Sequence, residues 1–183
     1  MIIGITGTNG AGKGTVVQYL ADKKGFARYS VRAYITEEIS RRGLPLNRPS
    51  MQLVGNDMRA KHGATYWDEL IFEDAKKHGY ENFIIDSVRN VTSAKKLKEQ
   101  GAALWGVDAD RKLRYERAIL RGSETDKISF EDFCAQEDRE TAQTAEYDMN
   151  IFAILKMADV LLTNNGSLEE LHSQIDNALK ELS

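Results

Sequence analysis

The sequence has few of the residues that characterise disulfide-linked, zinc-binding or membrane-spanning proteins. Among its 183 residues there are one cysteine, Cys134, two prolines and three histidines. A single cysteine excludes an internal disulfide framework and is typical of a reducing compartment. The cysteine and the histidines do not have the spacing of zinc ligands. No apolar run approaches the ~18 residues of a membrane-spanning helix.

An excess of charge of either sign is also absent. The chain has 25 Lys and Arg residues against 28 Asp and Glu residues, a formal net charge of −3. Because there is no global basic field, we expect no nucleic-acid partner, and any anion site has to be built from a local cluster. Met1 leads directly into an apolar stretch, so we expect no signal peptide, no membrane partner and a cytoplasmic location. Nothing in the sequence assigns an oligomeric state.

Short apolar runs alternate with helical stretches along the whole chain. The runs lie at residues 2–5, 26–31, 83–86, 103–107 and 160–163. Such alternation requires crossover connections, so it predicts an α/β domain whose parallel sheet is covered by helices on both faces. The last predicted helix has a capping box, Ser167 with Glu170, and one apolar face. That face consists of Leu168, Leu171, Ile175, Ala178, Leu179 and Leu182.

A glycine-rich segment follows the first apolar run. Glycines at positions 7, 10 and 12 cannot continue a regular element, so the segment is predicted to turn into a helix that begins at about Lys13. In such a turn, main-chain N–H groups, the positive end of the helix and a lysine ammonium converge, which is typical of a phosphate-binding loop. The predicted phosphate-binding residues are Gly7, Asn9, Gly10, Ala11, Gly12, Lys13, Gly14 and Thr15.

The end of this motif departs from the general G-x-x-x-x-G-K-[ST] pattern. Gly14 stands where Ser or Thr is usual, and Thr15 follows it. The residues leave three roles open for the Thr15 hydroxyl: contact with Mg²⁺, contact with a phosphate oxygen, or capping of the helix.

Two long excursions interrupt the alternation of strands and helices. Residues 32–78 read as a mostly helical insertion, and residues 121–147 are polar and dense in charge. Ligands of open α/β sheets bind outside the carboxyl ends of the strands, so we expect an acceptor-binding insertion and a lid. The core of this single domain would then comprise residues 1–31, 79–120 and 148–183.

Asp86 ends the third apolar run, at the edge where the phosphate-binding loop is predicted. A carboxylate there can hold Mg²⁺ through water or bind an acceptor; the alternative is a cap of the strand end. Hydrolytic ATPases commonly have a second acid after such an aspartate to orient the attacking water. Here Ser87 follows instead, so the pattern favours transfer of the phosphoryl group to a bound acceptor. Three residues on, Arg89 can grip an acceptor phosphate bidentately, or lie on the surface at a helix start.

The insertion supplies further candidates for the acceptor. We place Arg59 against the acceptor phosphate, with Arg32, Arg41 and Arg42 as weaker candidates. Trp67 can stack on a base, but an aromatic residue at helical spacing is more often part of a core.

The helix after the fourth run carries Arg114, Arg117 and Arg121 in a sector of about 60°, beside an apolar stripe. That stripe comprises Leu113, Ile119 and Leu120. Three arginines this close together repel one another unless an anion neutralises them, and a bound triphosphate would do so. The alternative is that they lie on a solvated helix face and pair with Glu116 and Glu124. The acidic residues 137–140 either latch onto these arginines or form an exposed face.

Together these motifs resemble nucleoside monophosphate kinases. Residues 7–15 look like the P-loop of those enzymes. Similarity to archaeal adenylate-kinase-like proteins, and more distantly to dephospho-CoA kinases, extends over residues 86–89, Arg114, Arg117, Arg121, Asp126, Phe133, Asp138, 158–160 and 164–171. The sequence departs from both families in motifs that concern the acceptor. Residues 86–89 read Asp-Ser-Val-Arg, where adenylate kinases have Asp-Gly-x-Pro-Arg. Residues 28–32 lack the acidic motif that dephospho-CoA kinases have at this point.

The resemblance implies a three-layer P-loop kinase fold with a five-stranded parallel sheet, ATP and Mg²⁺. It implies that Lys13 holds the transferring phosphoryl group and that Asp86 organises Mg²⁺ or the acceptor. It further implies that Arg59 and Arg89 bind the acceptor and that Arg117 and Arg121 clamp the phosphates.

The resulting hypothesis is an ATP-dependent kinase of a small phosphorylated acceptor, a nucleoside monophosphate. One alternative is dephospho-CoA kinase, in which Asp86 would act as general base on a sugar hydroxyl. An alternative of another class is a nucleotide-binding regulator without turnover.

Overall fold

A five-stranded parallel sheet forms the centre of the molecule. The computed structural model describes residues 1–122, 128–142 and 150–182. The strands are β1 (Ile2–Gly7), β2 (Ala27–Ser30), β3 (Phe83–Asp86), β4 (Ala103–Asp108) and β5 (Val160–Thr163), in the order β2-β3-β1-β4-β5. All four strand pairings are parallel. The structure therefore confirms the predicted α/β fold, and every predicted apolar run contains a strand.

Helices cover both faces of this sheet. Within the described ranges they are α1 (Lys13–Lys24), α2 (Val31–Arg41), α3 (Arg48–His62), α4 (Tyr66–Lys77), α5 (Val91–Glu99), α6 (Arg111–Arg121), α7 (Phe130–Ala142), α8 (Ile151–Leu155) and α9 (Leu168–Glu181). One apolar cluster joins the sheet to α1 and α9, and a second joins it to α4, α5 and α8. Nowhere in residues 1–122, 128–142 or 150–182 does a helix have the length and apolar character needed to cross a membrane.

The central strands are apolar because both of their faces are covered. Ile3 and Ile5 of β1 and Ile84 and Ile85 of β3 have no exposed surface. Burial of such a side chain contributes roughly 1.5–3 kcal/mol. The register places Ile5 opposite Asp86, so the end of β1 and the carboxylate that ends β3 lie side by side.

Two predicted apolar faces differ from the structure. The capping box of Ser167 and Glu170 at α9 is confirmed, but Leu168 and Leu182 at the ends of that helix are exposed. On α6 the predicted stripe was wrong: Ile119 and Leu120 are exposed, whereas Arg114 is buried. An ion pair with α7 accounts for this reversal and is described below.

Helices α2, α3 and α4, which lie between β2 and β3 in the sequence, share a separate apolar cluster. Its buried members are Ile35, Ile39, Val54, Met58 and Trp67. Trp67 is 3% exposed, which confirms its interpretation as a core residue. The division of the chain into core, insertion and lid stays a prediction, and residues 123–127 and 143–147 of the expected lid lie outside the described residues.

Hydrogen bonds fix the loop after β3 to β1. The Thr6 hydroxyl donates to the Val88 carbonyl at 2.9 Å, and the Val88 N–H donates to the Ile5 carbonyl at 2.8 Å. On the far side, the Asn150 N–H donates to the Arg89 carbonyl at 3.2 Å. The segment that carries Asp86 and Arg89 is therefore held at the end of the central strand.

We predict that Thr6→Val weakens this attachment. The substitution keeps the shape of the fully buried side chain but removes the donor to Val88, so the free energy of unfolding should fall by about 1–3 kcal/mol. Chemical denaturation measures the change. The matched control is Thr163→Val, which alters an exposed threonine at the end of β5 and should change stability by less than about 0.5 kcal/mol. Equal effects of the two substitutions would contradict the prediction.

Candidate functional site

The loop between β1 and α1 requires glycine where it approaches its neighbours most closely. Gly10 and Gly12 have φ angles of 77° and 97°. A Cβ atom at Gly10 would overlap the Arg114 carbonyl oxygen, and one at Gly12 would overlap the Asn164 side-chain amide. The loop therefore lies directly against α6 and the β5–α9 connection, which a larger residue would prevent.

The Lys13 ammonium is fixed over this loop. Its Nζ donates to the carbonyl oxygens of Gly7 and Thr8, both at 2.8 Å. These bonds use two of its three N–H donors. Burial lowers the pKa of Lys13 to about 8; the charge of Arg89 adds to this effect, and that of Asp86 opposes it. Smaller effects come from Arg121 and Arg114, so the structure brings Lys13 together with Asp86, Arg89 and Arg121.

Asp86 has a cationic partner that sequence reasoning missed. Arg28 Nη2 lies 2.7 Å from Asp86 Oδ2, and the Ser87 hydroxyl donates to Asp86 Oδ1 at 2.9 Å. The Asp86 side chain is 11% exposed, whereas that of Arg28 is 50% exposed. The available signal was a basic residue near the end of β2 beside a strand that ends in an acid.

Ser87 has an uncommon backbone conformation. Its φ of 70° is the only positive φ of a non-glycine residue in the described ranges. The left-handed region disfavours a residue with a Cβ, by roughly 1–2 kcal/mol. Such conformations often mark functional sites, and this one lies between Asp86 and Arg89.

A cavity of about 250 Å³ lies between the insertion helices and the carboxyl ends of β2 and β3. Its wall includes all three arginines predicted to bind the acceptor, Arg32, Arg59 and Arg89, together with Asp86. Arg41 and Arg42 are not part of this wall; both bind Glu38, each at 2.7 Å. The structure thus separates Arg32 from the other two weaker candidates.

Two polar groups in the cavity wall are incompletely paired. Nε of Arg59 is buried without a hydrogen-bond partner. Burial lowers the pKa of Arg59, an effect that the nearby Asp68 carboxylate opposes. Asp68 is 4% exposed, and its Oδ2 accepts a 2.5 Å hydrogen bond from Ser93. Sequence reasoning missed Asp68 because an acid in the first turn of a helix is common there.

The arginines of α6 do not act as one cluster. Arg114 is 3% exposed, and its guanidinium pairs with the Glu137 carboxylate on α7. Arg111 pairs with Glu137 and Asp138 at 3.1 and 2.9 Å. The expectation that a triphosphate neutralises Arg114 was therefore wrong. Of the acidic residues, Glu137 contacts one of the three predicted arginines, Arg114, whereas Asp138 pairs with Arg111 instead. Latching upon closure of a lid stays a prediction.

The other two arginines of α6 contact the loops beside Lys13. Arg117 donates to the Asn164 carbonyl at 2.8 Å, and Arg121 donates to Asn9 Oδ1 at 3.1 Å. Asn164 in turn donates to the Ala11 carbonyl at 2.8 Å. The Asn164 segment therefore supports the loop between β1 and α1.

Thr15 is exposed near the start of α1, and no side-chain hydrogen bond caps this helix. The capping role is therefore not seen, while contact with Mg²⁺ or phosphate stays a prediction. Among the described residues there is no group of three His, Cys, Asp or Glu side chains that could hold a metal. Asp126 lies outside the described residues.

Comparison with known proteins now places this geometry in a family. A family model described as an AAA domain matches residues 3–145. The chain belongs to this family. Among curated relatives of this AAA-domain protein, a UPF0200 protein of Pyrobaculum aerophilum is 30% identical over 99% of this chain and 98% of its own length. A UPF0200 protein of Thermococcus kodakarensis is 29% identical over 100% and 98%.

Solved structures share the fold of this AAA-domain protein at lower identity. TT1252 from Thermus thermophilus has a TM-score of 0.61 at 24% identity, covering 100% of this chain and 98% of that one. Dephospho-CoA kinase from Campylobacter jejuni has a TM-score of 0.59 at 17% identity, with coverage of 100% and 96%. Shikimate kinase from Aquifex aeolicus has a TM-score of 0.56 at 19% identity, with coverage of 99% and 97%. The fold is thus that of P-loop kinases.

We predict that Ser87→Gly is more stable than Ser87→Ala by about 1 kcal/mol. Both substitutions remove the hydrogen bond to Asp86, but only glycine relieves the left-handed backbone at φ 70°. The pair therefore serves as its own control, and thermal or chemical unfolding measures the difference. An alanine variant as stable as the glycine variant would show that the backbone is not strained at this position.

Proposed function

We propose that this protein is an ATP-dependent phosphotransferase whose acceptor is a small phosphorylated molecule, a nucleoside monophosphate. The observation that carries the proposal is the position of the arginine-lined cavity. The cavity wall contains Asp86 and Arg89, the two groups whose charges act on the pKa of Lys13 most strongly. A phosphate-binding loop and a cationic acceptor pocket thus adjoin at the carboxyl ends of β1 and β3.

The residues on the nucleotide side fit a triphosphate. Gly7, Gly10 and Gly12 of the loop leave no room for Cβ atoms, and the Lys13 ammonium lies near further cations that an anion would stabilise. The loop residues 7–15 would bind the phosphates, with Arg117 and Arg121 placed over them from α6. Asp86 would hold Mg²⁺ through water and Thr15 would approach it, because Mg²⁺ needs only one or two protein oxygens when phosphates and waters complete its shell.

On the acceptor side, Arg32, Arg59 and Arg89 would bind the phosphorylated acceptor. Phosphoryl transfer depends on positioning and on neutralising the charge shared by donor and acceptor. Lys13 and the arginines would supply that positive charge from both sides. ATP bound with Mg²⁺ would supply the transferable γ-phosphoryl group.

Dephospho-CoA kinase is the second candidate, since the fold is shared with the Campylobacter jejuni enzyme. A sugar hydroxyl would need Asp86 as general base. Both Asp86 oxygens already accept hydrogen bonds, one of them from a guanidinium, which favours an anionic structural role over proton transfer. Steady-state assays with AMP, deoxynucleoside monophosphates and dephospho-CoA distinguish the two acceptors.

We predict that Lys13→Ala lowers phosphoryl transfer to the preferred acceptor at least 100-fold, because the variant lacks the ammonium that neutralises the transferring group. The measurement is initial rate with saturating ATP and an acceptor panel. Lys23→Ala, which alters an exposed lysine on the same helix, is the matched control and should leave the rate unchanged. If wild type binds ATP yet transfers no phosphoryl group to any acceptor, a nucleotide-binding regulator replaces the kinase as the function.

Nucleotide affinity should also depend on pH through Lys13. Its pKa is lowered to about 8, and a bound triphosphate would raise it because the phosphates favour the ammonium form. Affinity is then constant below this pKa and falls as the pH rises through it, by at most tenfold per pH unit. Equilibrium binding of a non-hydrolysable ATP analogue between pH 7.5 and 9.5 measures the fall. The Lys13→Arg variant keeps its positive charge over this pH range, so its nucleotide affinity should not change with pH. A wild-type affinity that is also independent of pH would contradict the role of Lys13 in binding the triphosphate.

A further inference from the structure

The acceptor cavity has two chemically different ends. At the end near the phosphate-binding loop, Asp86 and Arg89 act on the pKa of Lys13. At the insertion end, Asp68 acts on Arg59 instead. Asp86 ends β3 and Arg89 follows it, beside the end of β1, whereas Arg59 is on α3 and Asp68 is on α4 of the insertion.

The insertion end presents one donor group and one acceptor group without mutual pairing. In the described part of the chain, Arg59 forms no ion pair, and its Nε has no hydrogen-bond partner. Within residues 1–122, 128–142 and 150–182, Ser93 is the one hydrogen-bond donor to the Asp68 carboxylate, and it binds Oδ2, which leaves Oδ1 available. A buried donor such as Arg59 Nε is destabilising unless a partner satisfies it.

Apolar side chains also line this cavity. Val31, Ile35 and Met51 lie in the wall together with Trp67. A ligand that fits is flat and apolar on its faces, and it carries a hydrogen-bond donor beside an acceptor along one edge. Nucleobases have this combination, because ring nitrogens, amino groups and carbonyl oxygens alternate along their edges.

We propose that Asp68 and Arg59 bind the base edge of the acceptor nucleotide, Asp68 accepting a hydrogen bond from the base and Arg59 donating one to it. The inference rests on the proposed function and refines it: Arg59 reads the base, while the phosphate lies nearer Arg89. Base selection would then reside in α3 and α4, the helices that carry this pair.

A binding experiment with a truncated ligand tests the proposal. Titration calorimetry compares AMP, GMP, CMP and UMP with ribose 5-phosphate, which lacks a base, on wild type and on Asp68→Asn. We expect at least one nucleotide to bind wild type tenfold or more tightly than ribose 5-phosphate, and Asp68→Asn to lose about tenfold for that nucleotide only. Glu69→Gln removes one exposed charge from the same helix and should bind all ligands like wild type. Unchanged ATP binding shows that each variant is folded.

A second measurement needs no substitution. On wild type, an analogue of the preferred nucleotide that lacks the base's hydrogen-bond donor should bind about tenfold more weakly than the parent nucleotide. If nucleotides bind but neither Asp68→Asn nor the analogue weakens binding, the base-edge inference is wrong and the proposed function stands. If wild type binds ATP but neither any nucleoside monophosphate nor ribose 5-phosphate, the proposed acceptor class itself is overturned.

Discussion

The burial of the Lys13 ammonium among other cations is the interaction on which the rest of the site depends. A desolvated ammonium near guanidinium groups is unfavourable, and the fold accepts it only because two loop carbonyls and the Asp86 charge compensate. Those carbonyls point at Lys13 because the glycine loop turns back on itself between β1 and α1. A bound anion would offset the remaining repulsion among these cations, which is the basis for the triphosphate in the proposed function.

Some of the arginines near the loop and the cavity are already neutralised by carboxylates of the protein itself. Glu137 neutralises Arg114, and Asp86 pairs with Arg28. The first pair is almost fully buried on both sides, so it fixes α7 against α6 and the back of the phosphate-binding loop. The second pair keeps Asp86 in place at the junction of the loop and the cavity. Arg59, which has no ion-pair partner among the described residues, lies in the wall of the cavity.

Local sequence patterns predicted the sheet and the loop well, and long-range pairs poorly. The run at residues 83–86 is apolar because β3 is covered on both faces, and the glycines at 10 and 12 reflect a left-handed turn; both constraints are local. Arg28 meets Asp86 across 58 residues, and Arg114 meets Glu137 across 23. Such pairs depend on strand register and helix packing, which single residues do not encode. Arg114 is buried on a helix whose Leu120 is exposed, because Arg114 pairs with Glu137 on another helix.

Under the proposed function, the insertion is the part of the chain that would select the acceptor. Shikimate kinase and dephospho-CoA kinase have different acceptors on the same parallel sheet, so the sheet and its loop do not select the acceptor. In this chain, α2, α3 and α4 build their own apolar cluster around Trp67, and that cluster carries Arg59 and Asp68 at the cavity wall. A rigid cluster holds both groups at fixed positions relative to Asp86 and Arg89. Under the proposed function, acceptor selectivity would arise from the distance between the end of β3, with Asp86 and Arg89, and the insertion helices, with Arg59 and Asp68.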